Sequence, residues 1–114
     1  SYKLSVNDFS ILYTTDCEHP DNQLNKNVLD IGSGADILIH DSHFLTEDLE
    51  EHKGWGHSSW KNAVDVAVQS NIEKLILFHF SPDYNDQTVM RMEKEAQKSF
   101  TNVVAAKQGM KIQF

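Results

Sequence analysis

Two apolar runs in this chain each lead to a residue type that binds metal well. Ile11-Leu12-Tyr13-Thr14-Thr15 leads to Asp16, and Leu75-Ile76-Leu77-Phe78 leads to His79, just before a Ser81-Pro82 break. Carboxylate and imidazole hold first-row divalent cations, and in open α/β sheets ligands gather outside the carboxyl ends of the strands. The placement points to a metal-dependent enzyme with Asp16 and His79 as ligands. Plainer roles exist for both residues. An aspartate after a strand caps a helix or closes an Asx turn, and a strand-end histidine can simply bond a backbone carbonyl. His19, His40, His43 and His52 read as surface residues or supports rather than ligands. Trp55 and Trp60 read first as packing residues, although Trp55, between two glycines, has the option of lining a substrate pocket.

The elements that must position these side chains follow from the apolar spacing. Tyr2 to Val6 and Phe9 to Thr14 are β-rich runs around Asn7-Asp8, which predicts a tight hairpin. Leu24, Val28 and Ile31 recur at helical spacing before Gly32-Ser33-Gly34, which predicts a short helix and a glycine stop. Ala35 to His40 is a nearly continuous apolar run, the pattern of a strand covered on both faces. Leu45 to Lys53 is charged and weakly periodic, hence a mobile loop with at most a turn of helix. From Ser58 to Ser70, residues Trp60, Ala63, Val64, Ala67 and Val68 mark one buried helical face. Lys74 to Phe80 is a second buried strand. Val89, Met92, Ala96 and Phe100 mark another amphipathic helix, capped by Asn85 or Asp86. Val103 to Ala106 and Met110 to Phe114 are expected to finish as short strands around Gly109. The order is that of α/β layering, without repeats or linkers.

Composition narrows the function classes. At 114 residues the chain is one domain or part of one. A formal net charge of -7 and no Lys/Arg cluster leave no strong nucleic-acid footprint, because phosphate neutralisation needs clustered cations. Small substrates or proteins remain, including a small anion if a bound metal reverses the local field. A lone Cys17 excludes an intrachain disulfide framework, and no apolar stretch has signal-peptide or membrane-spanning length. A cytoplasmic protein without membrane contact is the expectation. The chain begins at Ser1 directly in strand-like residues, so a longer parent protein is expected.

Four segments together carry a family resemblance: Asp16 at its strand end, Ile39-His40-Asp41-Ser42-His43, Gly56-His57-Ser58-Ser59, and His79-Phe80-Ser81-Pro82. With these the chain resembles the carboxyl-terminal half of a metallo-β-lactamase-fold hydrolase, in the phosphodiesterase branch that includes RNase Z. The likeness covers nearly the whole chain. It implies an αββα sandwich, of which residues 1–114 would be a partial domain with a mixed sheet and amphipathic helices. It implies two divalent ions, zinc or manganese, about 3.5–4 Å apart, with Asp16 bridging them and His79 on the second ion. Such ions bring the pKa of bound water to about 7, which suits hydrolysis of a phosphodiester. In the RNase Z-like branch the histidine of the Gly-His-Ser-Thr loop contacts the scissile phosphate and an acidic residue orients it. By position these would be His57 and Asp41. A carboxylate bonded to an imidazole fixes its tautomer and favours its protonated form. RNase Z carries a glutamate where Asp41 stands.

One part of the family pattern is absent from this sequence. The His-x-His-x-Asp-His loop, which supplies most ligands of both ions, does not occur in these 114 residues. With Asp16 and His79 alone, each ion would hold fewer protein ligands than zinc ordinarily takes. The expectation is therefore half of an enzyme, inactive and weak in metal binding by itself. Its partner would be an amino-terminal half or a second copy covering the exposed sheet face, with a small phosphodiester as substrate. The rival readings are a non-catalytic interaction or scaffold domain without the metal loop, and a flavodoxin-like binding module. The latter wants a glycine-rich phosphate loop after the first strand, and Thr14-Thr15-Asp16-Cys17-Glu18 has no glycine.

Overall fold

The computed structural model describes residues 1–113 and arranges them as one five-stranded mixed sheet in the order β1-β2-β3-β4-β5. Strands β1 (Tyr2–Val6) and β2 (Phe9–Thr14) form the expected antiparallel hairpin, with Val6 opposite Phe9 across the Asn7-Asp8 turn. Asn7 takes the positive φ, 55°, that such a two-residue turn demands. Strands β3 (Ile37–Asp41), β4 (Lys74–Phe78) and β5 (Val103–Ala105) then add in parallel.

The connections carry the helices. Helix α1 (Lys26–Gly32) is capped by the Asn25 side chain, which accepts the amides of Asn27 and Val28. Gly32 is its last residue, where a Cβ would meet the Leu12 side chain at 2.8 Å, and Gly34 makes the turn at φ 72°. Helix α2 (Thr46–Leu49) and a 3-10 turn (Glu50–His52) occupy the stretch expected to be a loop. Helix α3 (Trp60–Gln69) opens with a capping box, in which Ser59 and Asn62 bond each other's backbone. Helix α4 (Asp86–Ser99) is capped by Asn85 rather than Asp86, since Asn85 accepts the Thr88 amide at 2.9 Å. The expected final strand at 110–114 is a correction. Residues 110–113 form no strand and are mostly exposed, because the chain turns at Gly109 (φ 78°) and no strand among the described residues pairs with them; Phe114 lies outside the described residues.

A consecutive strand order with right-handed crossovers places the helices on one side of the sheet. There Leu12, Leu38, Leu75, Leu77 and Val103 pack with Val28, Ala63, Val64, Val66, Ala67 and Ala96 in one core. The opposite side is apolar too. Tyr2, Leu4 and Val6 pair across the hairpin with Tyr13, Ile11 and Phe9, and the same parity continues through Ile37, Ile39, Ile76 and Phe78. On β1 this stripe is open to solvent, with Tyr2, Leu4 and Val6 at 72%, 64% and 70% exposure. Alternation then separates two neighbours at the end of β3. Asp41 shares the parity of Ile37 and Ile39, whereas His40 shares that of Leu38 and faces the helices.

Candidate active site

Asp41 is the last residue of the central strand β3 and is fully buried. A buried carboxylate survives only if its lone pairs are used, and this one accepts from five N–H donors. Oδ1 takes the amides of His43 (3.2 Å) and Ser58 (3.0 Å). Oδ2 takes the Asp16 amide (3.0 Å), His57 Nδ1 (3.0 Å) and His79 Nδ1 (3.3 Å). All four residues singled out from the sequence, Asp16, Asp41, His57 and His79, therefore meet at one carboxylate. Oδ2 already bears three donors, so Asp41 orients the imidazoles and is poorly placed to be a ligand itself.

The flanking strands deliver Asp16 and His79. Both residues sit in loops just past β2 and β4, with φ of 50° and 63°. Positive φ is uncommon for residues with a Cβ, mildly so for aspartate and histidine, and such conformations cluster at functional sites. One ligand atom each from Asp16, Asp41, His57 and His79 lies within 4.8 Å of all the others, and the same is true of His43, His57 and His79.

His43 belongs to this site, although the sequence reading treated it as a support at most. Its ring stacks on His57 (centroids 4.1 Å, interplanar 14°), and its Nδ1 donates to the carbonyl of His79 at 2.9 Å. Burial lowers its pKa, against the bond to the His79 carbonyl that raises it, so the ring stays neutral near pH 7. The signal that finds it is alternation, since His43 follows Asp41 by two residues and an extended chain points both to one side.

The donor chemistry fits a divalent metal. His43, His57 and His79 each commit Nδ1–H to an oxygen, which leaves Nε2 with a free lone pair, the arrangement by which carbonyl and carboxylate partners orient metal-binding histidines. The Asp16 side chain is exposed and adds a charged oxygen. The His57 and His79 side chains are 16% and 37% exposed above the wholly buried Asp41, so the cluster can be reached from solvent.

A second group, Cys17, His19 and His40, has metal-type ligands but is already satisfied. His40 Nδ1 donates to the Asp41 carbonyl at 2.7 Å, while His19 Nδ1 accepts the Asn25 amide at 2.9 Å. Neutral His19 must then carry its proton on Nε2 and donate it to His40 Nε2, 3.2 Å away. A metal on His19 would require an imidazolate or loss of the Asn25 bond. Burial lowers the His40 pKa to about 4 and raises that of the Cys17 thiol, which keeps both groups neutral. This pair pins the loop after β2 to the helix side of β3.

A strand-end cluster of one exposed carboxylate and three oriented imidazoles sits on the carboxyl edge of the parallel strands of a mixed sheet with helices on one face, an α/β protein whose donor set fits a divalent metal. The chain belongs to the beta-lactamase superfamily, whose domain model matches residues 1–80 and so includes Asp16, Asp41, His57 and His79. Ribonuclease Z of Archaeoglobus fulgidus is 39% identical over 97 residues, covering 82% of this chain and 30% of that protein. Ribonuclease Z of Bacillus cereus is 35% identical over 77 residues, covering 68% of this chain and 25% of that protein. The chain thus spans less than a third of the length of either relative. Among solved structures, the metallo-beta-lactamase fold protein YhfI of Bacillus subtilis superposes with a TM-score of 0.76 at 22% identity, over 95% of this chain and 40% of that one. Human tRNase Z, short form, gives a TM-score of 0.64 at 22% identity, over 90% and 32%. The fold is part of a metallo-beta-lactamase domain, and the family implies divalent metal. Among the described residues no helix is long and apolar enough to cross a membrane.

Proposed function

We propose that this chain carries part of the active site of a metal-dependent phosphodiesterase, acting on the phosphodiester bonds of a nucleotide substrate. The observation that carries the reading is the Asp41 carboxylate, which gathers the Asp16 loop, His57 and His79 around one pair of oxygens. The names of the two relatives support the bond type, since both are ribonucleases.

Asp16 and His79 would hold zinc or manganese, with His43 as a further candidate. A divalent ion held there supplies Lewis acidity and a water of lowered pKa. The chain's own residues do the rest. Asp41 fixes the His57 tautomer, so proton exchange with a phosphate or leaving oxygen falls to Nε2. Asp41 likewise fixes the His79 ring. The remaining ligands would come from an amino-terminal half of the polypeptide, which would also cover the Tyr2, Leu4 and Val6 face; an exposed apolar stripe of that kind on an edge strand wants a partner. Without that half the chain would be inactive.

The test is hydrolysis of bis(p-nitrophenyl) phosphate by the full-length protein. Activity should disappear with a chelator, return with zinc or manganese, and fall about 100-fold or more in His57→Ala. Chelator-insensitive hydrolysis, or full activity in His57→Ala, would contradict the assignment.

A further inference from the structure

Trp55 is 64% exposed two residues before His57, yet its position is fixed rather than free. Its ring meets His52 edge to face at 4.5 Å and 88°, and Phe44 at 6.4 Å and 73°. Phe44 in turn lies 6.1 Å from the His57 ring at 76°. The indole and the proposed phosphate-contacting imidazole therefore share one packing partner. The turn that presents Trp55 is held as firmly. Gly54 and Gly56 take φ of 86° and 83°, which glycine alone adopts without strain, and their amides donate to the two oxygens of Glu18 at 2.7 and 3.1 Å. Glu18 follows Asp16 by two residues. One carboxylate thus ties the Trp55 turn to the loop that carries a proposed metal ligand.

We propose that Trp55 is the stacking platform for the base of a nucleotide whose phosphate lies at His57; the inference rests on the phosphodiesterase reading. Cations around this turn are scarce. Lys53, on the same loop, is occupied by Asp21 (3.2 Å) and Glu50 (2.8 Å), and the chain as a whole carries a net charge of -7. Among the described residues no cluster of free cations is available to neutralise a nucleotide backbone, whereas stacking on an aromatic face needs no charge and tolerates any base. Preorganisation by Glu18 and the ring contacts spares the ordering cost that a mobile indole would incur on binding.

Calorimetric titration of the metal-loaded, full-length protein with adenosine 5'-monophosphate and, separately, with inorganic phosphate tests this. Adenosine monophosphate should bind more tightly than phosphate. Trp55→Ala should weaken the nucleotide by roughly tenfold or more and leave phosphate unchanged, and Trp55→Phe should restore most of the difference. If the nucleotide binds no more tightly than phosphate, or if Trp55→Ala weakens both equally or neither, the platform is overturned while the phosphate site stands. If neither ligand binds the unmodified protein, the phosphodiesterase reading fails and takes this inference with it.

Discussion

Asp16 and His79 reach the same carboxylate from opposite sides of β3, the first through its backbone amide and the second through its ring Nδ1. Their strands flank the central one, and both residues leave the sheet with positive φ. The carboxyl end of β3 is thereby the geometric centre of the site, although Asp41 is proposed to bind no metal.

Replacing Asp41 should separate orientation from ligation. Asp41→Asn keeps the shape but turns part of a five-donor acceptor into a donor, leaving buried N–H groups unpaired. Metal affinity should fall about 10- to 100-fold, as for other groups that orient ligating histidines, and the melting temperature should drop. Metal titration and thermal unfolding of the variant check this, and unchanged metal affinity would remove Asp41 from the site.

The buried His40 imidazole predicts acid sensitivity. His40 has a folded pKa of about 4 against 6.5 when exposed, so below 6.5 the unfolded chain binds the extra proton. Stability should therefore be full above pH 6.5 and fall as pH drops from 6.5 to 4, by up to about 3 kcal/mol from this residue. Urea unfolding across that range should show a shallower pH dependence in His40→Asn than in the unmodified protein. Parallel curves would mean that His40 is not held neutral.

The open sheet face predicts a cover. Leu4→Glu in the full-length protein should cost about 2 kcal/mol or more if a second sheet lies over it, as for burying a charge in place of a leucine. Ser5→Glu, one residue on and facing the other way, should stay within about 0.5 kcal/mol. Equal small effects in chemical unfolding would mean that Leu4 remains in water.

Glu18 should control the order of the Trp55 turn. In Glu18→Ala the Gly54 and Gly56 amides lose their acceptors, and their hydrogen exchange should accelerate with little change in the exchange of β3 and β4. Unaltered protection at both glycines would show that the turn is held by other contacts.

Local pattern carried much of this architecture. The hairpin was readable from Asn7-Asp8 between β-rich runs, α3 from its apolar spacing although Val66 is buried and Val68 exposed, and β3 and β4 from continuous apolar stretches, because each signal arises within a few residues. Asp16 and His79 were visible as strand ends, and Asp41 and His57 through family resemblance. What the sequence withheld was nonlocal. The Asp41–His79 hydrogen bond depends on β3 and β4 being neighbours, and the Glu18 clamp joins segments more than thirty residues apart. The stretch at 110–113 failed as a strand because β propensity without a pairing partner does not make one.

Elemental analysis of zinc and manganese in the full-length protein, in His79→Ala and in Cys17→Ser, tests the central claim most directly. The account predicts metal in the unmodified protein, loss of it in His79→Ala, and retention in Cys17→Ser, since the Cys17-His19-His40 group is satisfied without an ion. Metal that persists in His79→Ala but disappears in Cys17→Ser would move the centre to the other face of β3 and contradict the account.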